Sequence, residues 1–143
     1  MRDEQAHRYA RHIQLPDIGP LGQTAILVAT AQLPLRDPDP SAELLAGAYL
    51  AAGGAGALVV IGATPAQLDE LSAHGLDTRV MSPDAIVAAT DAAALRVLAE
   101  TPPRTVELLP RPAWWPSVAG DDVALAFWRG GLAAARWLAA AAR

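Results

Sequence analysis

No cysteine occurs in the 143 residues, which excludes disulfides, thiolate metal sites and any thioester or persulfide chemistry carried by the chain itself. An excess of positive charge is also missing. Lys and Arg number 11 against 15 Asp and Glu, a formal net charge of −4, and such a surface offers no attraction to phosphate backbones or anionic lipid. Neither nucleic acid nor a membrane surface is an expected partner. The opening residues, Met1-Arg2-Asp3-Glu4-Gln5, lack the apolar core of a signal peptide, and the address expected from them is cytoplasmic. An uninterrupted apolar span is lacking as well. Val123 to Ala142 comes nearest, but Arg129 and Arg136 inside it would each cost about 2.5–3.5 kcal/mol near a bilayer centre. With Arg143 they form a stripe that drifts slowly around a helix. It reads as the wet side of a docked terminal helix, with Leu125, Trp128 and Leu132 toward a core.

What is present is the composition of a globular domain, with 52% apolar and 18% charged residues. The length suits one proper core and not two. Residues 1–23 read as an N-terminal arm and connector: a short charged helix over 2–14, then Pro16, Gly19, Pro20 and Gly22, which break any helix. Residues 24–143 read as a single domain of alternating strands and helices. Ala25 to Ala29 is a continuous apolar run expected as strand one, and the three prolines between Leu33 and Pro40 predict an irregular loop. Ser41 is expected to cap a helix that Gly53-Gly54 stops, and Leu58 to Ile61 is strand two. Thr64-Pro65-Ala66-Gln67 combines an N-cap threonine, a proline at the first helical position and a capping-box glutamine, with Gly75 ending that helix. Asp77 to Met81, Ala85 to Thr90 and Thr105 to Leu109 are read as strands three to five, with a helix from Asp91 to Glu100 and a final helix after Gly120. This alternation predicts a Rossmann-like three-layer α/β sandwich, its sheet mostly parallel and of about five strands, with an N-terminal helical arm.

The stretch Arg8-Tyr9-Ala10-Arg11-His12-Ile13-Gln14-Leu15-Pro16-Asp17-Ile18-Gly19-Pro20-Leu21-Gly22-Gln23 resembles the N-terminal signature of the ThiF/MoeB/HesA family, prokaryotic relatives of ubiquitin-activating enzymes. Ala85 to Asp91, followed by Arg96, is similar to that family's strand ending in Thr-Asp with an arginine on the next helix. Tyr49 to Gly56 is similar to its first helix and turn into strand two. The resemblance implies ATP-dependent adenylation, by a dimer, of the C-terminal glycine of a ubiquitin-like sulfur carrier or modifier. It implies a role for Arg11, whose counterpart reaches across the dimer to the partner's ATP phosphates, and for Asp91, whose counterpart helps hold magnesium.

Other family features are missing. A glycine-rich phosphate loop belongs directly after strand one, where a helix N-terminus and close backbone approach together hold phosphates, yet Ala29-Thr30-Ala31-Gln32-Leu33-Pro34 contains no glycine. The ribose-holding aspartate expected after strand two falls on Gly62-Ala63-Thr64, and the polar segment that grips ATP and the catalytic-cysteine region have no counterpart. The expectation is a pseudoenzyme with no catalytic residue and no cofactor of its own. It would serve as a partner or scaffold subunit lending Arg11 in trans, because a planar, permanently charged guanidinium suits a phosphoryl group. The partner would be a second copy of the chain, an active ThiF/MoeB-like paralogue or a ubiquitin-like sulfur carrier. The alternatives are a reduced but live adenylyltransferase that uses Mg-ATP with Arg11, Asp91 and the Arg36-Asp37-Pro38-Asp39 loop, and a Rossmann-like module for another metabolite.

Each signal also has a plainer reading. Arg11 would pair with carboxylates on the arm's docking surface, and Asp91 would be an N-cap worth about 1 kcal/mol. Gly53-Gly54-Ala55-Gly56 ends a helix before a strand, the reverse of the order that phosphate binding needs, and reads as a C-cap turn. His7, His12 and His74 lack metal-site spacing, and Asp69-Glu70 reads as a solvated helix face. Trp114-Trp115, between Pro112 and Pro116, is either a hydrophobic lid over the end of the sheet or an interface anchor. With Arg8, Tyr9 and Arg11 the pair completes the candidate interface residues.

Overall fold

A computed structural model describes residues 1–88, 102–115 and 121–143. The arm forms two short helices, α1 (Asp3–Arg8) and α2 (Ala10–Ile13), and α3 (Gly19–Ile26) carries the chain into β1 (Thr30–Pro34). There follow α4 (Ser41–Ala52), β2 (Ala57–Ile61), α5 (Pro65–Ser72), β3 (Arg79–Met81), α6 (Pro83–Ala88), β4 (Arg104–Thr105) and α7 (Asp121–Ala141). The fold is α/β: four parallel strands in the order β3-β2-β1-β4, flanked by helices. Among the described residues the sheet has four strands, not five, and no helix is long and apolar enough to cross a membrane.

Three expected elements are corrected. The apolar run from Ala25 is the end of a helix and the turn after it, and strand one lies some five residues further on, over Thr30–Pro34. A short apolar run suits a buried helix end as well as a strand, and Pro20 in the first turn of α3 costs no hydrogen bond, because N–H groups there have no helical acceptor. Pro34 is tolerated in a central strand because side and N–H directions alternate. Leu35 N donates to Ile61 O on the β2 side, so Pro34 would donate on the β4 side, where pairing has already ended at Gln32. Ala85 to Ala88, expected as part of strand four, belongs to helix α6. Its start is set by Ser82 Oγ accepting from Ala85 N at 3.2 Å, with Pro83 at the first helical position. The stretch likened to the family's Thr-Asp strand thus begins as a helix, and its end, with Asp91 and Arg96, lies outside the described residues. Strand five is shorter than expected: β4 pairs at Arg104 and Thr105, and Val106 N adds one bond to Gln32 O at 2.8 Å.

Other local signals hold. Thr64 Oγ1 accepts from Gln67 N and Gln67 Oε1 from Thr64 N, closing the capping box of α5. At the end of α4, Gly54 N donates to Ala51 O and Ala55 N to Leu50 O, the paired bonds of a Schellman turn, with Gly54 at φ +83°. The start of α4 differs: Pro40, not Ser41, holds the cap position, and Asp39 Oδ1 accepts from both Ser41 N and Ser41 Oγ.

The core runs through Ile26, Leu33, Leu50, Leu58, Val60 and Leu71, and α7 closes it with Ala133, Ala134, Trp137 and Leu138. Helices α4 and α7 approach closely because Gly130 has no side chain: a Cβ there would lie 2.5 Å from Ala42 O. That crossing corrects the arginine stripe. Arg136 and Arg143 face water, but Arg129 is half-buried between the loops that follow β1 and β4.

Candidate functional site

Two polar assemblies stand at opposite ends of the strands. The first, where strands begin, is a clip holding the arm. Asp77, just before β3, has a side chain only 4% exposed, and four arm residues converge on it. Arg2 Nη2 donates to Oδ1 at 3.3 Å, Gln5 Nε2 to Oδ1 at 3.0 Å, Tyr9 OH to Oδ2 at 2.9 Å, and Arg8 Nη1 to Oδ2. Burial alone would push the Asp77 carboxyl up, but Gln5, Tyr9 and Arg8 outweigh it and hold it below the usual aspartate range. The same environment, burial first and then the Asp77 bond, pushes the Tyr9 hydroxyl up to about 12. The Tyr9 ring fills the space over Gly54, where a Cβ would lie 2.5 Å from Cζ. Buried Gln23 adds a second tie: His12 Nδ1 meets its Oε1 and its Nε2 donates to Gly53 O, each at 3.1 Å.

The second assembly is a crevice where β1 and β4 end. The chain runs from β1 outward through β2 to β3, then returns to the other side of β1 for β4, so strand order reverses between β1 and β4. Loops after adjacent strands part company at such a point and leave a cleft. A cavity of about 510 Å³ lies there, lined by Arg36 and Asp37 after β1, Glu43 in the first turn of α4, Thr105 and Glu107 on the β4 side, and Arg129 of α7. A neighbouring cavity of about 350 Å³ shares Asp37 and Arg129 and adds Asp39, Ser41 and Asp122. Arg129 Nε donates to Leu109 O at 2.7 Å and Nη1 to Asp37 Oδ2 at 3.3 Å, fastening α7 to both loops.

Glu43 sits at the floor. The residue is 4% exposed, and Oε1 accepts from the backbone N–H groups of Arg36 at 3.3 Å and Asp37 at 3.2 Å. Oε2 is buried and has no partner among the described residues. Asp39 takes Ser41 N, and the hydroxyl of Ser41 followed by its N–H lowers the Asp39 pKa. The chain's own carboxylates thus hold the loop N–H groups of Arg36 and Asp37 and the first N–H of α4, that of Ser41, and a triphosphate would meet Asp37, Asp39 and Glu43 at close range. These residues do not fit Mg-ATP.

No protein-family model and no curated protein matches the chain.

Of the residues singled out in the sequence, Arg36 and Asp37 of the Arg36-Asp37-Pro38-Asp39 loop line this crevice and Pro38 and Asp39 the neighbouring cavity, whereas Arg8, Tyr9, Arg11, Trp114 and Trp115 line neither. Arg11 is exposed on α2, at the end of the sheet where strands begin, and no bond to it is seen among the described residues. Arg8 and Tyr9 are engaged within the chain, Tyr9 being 3% exposed. Asp91 lies outside the described residues. Trp114 and Trp115 pack on Trp128 of α7, with ring centroids 6.1 and 5.9 Å away, and Trp114 is 71% exposed. In the glycine-free segment expected to follow strand one, Thr30, Ala31 and Leu33 are buried in β1, and only Pro34 of that segment lines the crevice. The carboxylates that oppose a phosphate there are Asp37, Asp39 and Glu43. Sequence reading passed over Glu43 as one more helical residue, although its place three residues into a helix preceded by a polar loop is the position from which a carboxylate reaches back to loop N–H groups.

Proposed function

We propose that the chain is a non-catalytic ThiF/MoeB-like subunit of Rossmann-like architecture that acts through a protein partner in a ubiquitin-like or sulfur-carrier activation system, lending Arg11 in trans. The observation that carries this reading is the separation of the arm from the crevice. Arg11 stands exposed on an arm clipped to the end where strands start, so the crevice of its own chain lies at the opposite end of the strands. A second support is the approach to α4, where Glu43 takes the N–H groups of Arg36 and Asp37, Asp39 takes that of Ser41, and the carboxylates repel a triphosphate. The exposed ring of Trp114, with Phe127 and Val123 exposed on α7, supplies apolar contact area of the kind that interface anchors use.

Two measurements test the reading. Calorimetry with Mg-ATP on the chain alone is expected to give no heat; micromolar binding overturns it. Reconstitution with a full-length ThiF/MoeB-type enzyme from the same cell is expected to raise ATP–pyrophosphate exchange, and Arg11→Ala to lower that rate by about 10³-fold or more, as loss of a donated arginine does in phosphoryl chemistry. Melting of the variant should stay within about 0.5 kcal/mol of the parent, as for an exposed surface substitution. Exchange rates indifferent to Arg11 would remove the donated-arginine role.

A further inference from the structure

We infer that the crevice between β1 and β4 is a binding site for a small primary amine, whose ammonium group donates to Glu43 Oε2. This inference goes beyond the partner role and does not rest on it.

Three observations converge. The cavity of about 510 Å³ has the size of a small-molecule site and lies where strand order reverses, the place at which open parallel sheets bind ligands. Glu43 lines it with a carboxyl group that is almost wholly buried yet half satisfied. Its Oε1 accepts from the N–H groups of Arg36 and Asp37, and Oε2, the oxygen left unpaired, is buried, so a donor entering the cavity reaches it by a small turn of the side chain. Buried acceptors are nearly always paired, and one left unpaired on a cavity-lining side chain is a seat for a donor.

Charge selects the kind of donor. The guanidinium of Arg129 bonds to Asp37 and to Leu109 O, and no bond from it to Glu43 is seen among the described residues. Across the two adjoining cavities Asp37, Asp39, Glu43, Glu107 and Asp122 outnumber Arg36 and Arg129. An anionic ligand is disfavoured there, and a cationic donor gains a charge-assisted bond of about twice the strength of a neutral one. A bare metal ion is the poorer candidate, since no group of three metal-ligating side chains exists among the described residues. An ammonium group, with three donors on a compact charge, matches one free carboxylate oxygen with neighbouring carboxylates at the rim.

The test uses the full chain and four probes: n-butylamine, 1,4-diaminobutane, lysine, and n-butanol as the uncharged analogue. Calorimetric titration is expected to show binding of at least one amine and none of butanol. Glu43→Gln keeps an acceptor for the loop N–H groups but turns the free oxygen into an amide donor, and is expected to weaken amine binding about tenfold or more. A preference for lysine identifies an amino-acid ligand, with its carboxylate on the side chain of Arg36; a preference for the diamine identifies a polyamine. An independent readout needs no variant. In amide-resolved NMR of the parent chain, the Arg36 and Asp37 N–H signals, both bonded to Glu43, should shift with the amine and not with butanol. Absence of binding at millimolar amine, equal binding of butanol, unchanged affinity in Glu43→Gln, or amide shifts confined to other parts of the chain would each overturn the assignment. None of these results depends on ATP, Arg11 or a partner protein.

Discussion

Asp77 shows how one carboxylate can fasten a whole arm. Its four donors come from residues 68 to 75 positions earlier, so nothing local in the sequence could have joined them, and only its approximate place at the start of strand three was legible. The same holds for Glu43, whose cap was readable in principle and whose free oxygen was not. Because the folded pKa of Asp77 lies below the ordinary 3.8, its contribution is complete above that pH and is lost as pH falls through the folded value. Tyr9 acts in the other direction. Its hydroxyl ionises near 12 when folded and near 10.0 otherwise, so its contribution fades as pH rises between those values. Thermal melts across pH should therefore show the arm loosening on both flanks, with amide exchange accelerating first in residues 3–13. Asp77→Asn is expected to cost about 1–2 kcal/mol at neutral pH, the exposed arginines adding little through solvent, and to flatten the acid flank. An acid flank as steep in Asp77→Asn as in the parent would show that some other carboxylate controls it.

At the scale of elements, signals confined to one turn of chain were legible and those that depend on what lies beside them were not. Thr64-Pro65-Ala66-Gln67 and Gly53-Gly54 carry their own hydrogen-bond partners and were readable directly. Ser82-Pro83 follows the same grammar but opens a helix where an apolar, β-branched run suggested a strand. Strand one was misplaced because Pro34 argues against a central strand until the sheet is seen to have no donor requirement on that side. The close crossing of α4 and α7 is likewise a property of the pair. It rests on Gly130, whereas at the adjacent Gly131 an added Cβ would find its nearest neighbour, Tyr49 Cε2, at an ordinary 3.8 Å. Gly130→Ala should therefore cost about 1–3 kcal/mol, since the neighbours are backbone and cannot give way. It should also loosen the hold of Arg129 on Leu109 and Asp37. Gly131→Ala should be neutral or gain up to about 1 kcal/mol from helix propensity. Paired denaturant titrations decide this, and equal effects at the two positions would mean that the helices do not meet as closely as the backbone indicates.

At the scale of the molecule, α4 is the link between the two assemblies. Its 12 residues span about 18 Å, with Glu43 and the crevice at one end and the Gly54 seat of Tyr9 at the other. A rigid helix between two polar sites could couple them, so that releasing the arm would tilt α4 and reshape the crevice. The packing argues against it. Leu50 and Ala46 are fully buried, and the Schellman turn and the Ser41 N–H bond to Asp39 fix the ends of α4 by hydrogen bonds that belong to neither site's ligands. Sites this far apart with no shared partner are expected to behave additively. The double variant Asp77→Asn with Glu43→Gln should thus lose stability by the sum of the single losses, within about 0.5 kcal/mol. Arm exchange should respond to Asp77→Asn alone, and Arg36 and Asp37 amide shifts to Glu43→Gln alone. A coupling larger than about 1 kcal/mol would instead make α4 a lever, and the position of the arm would then also control the shape of the crevice.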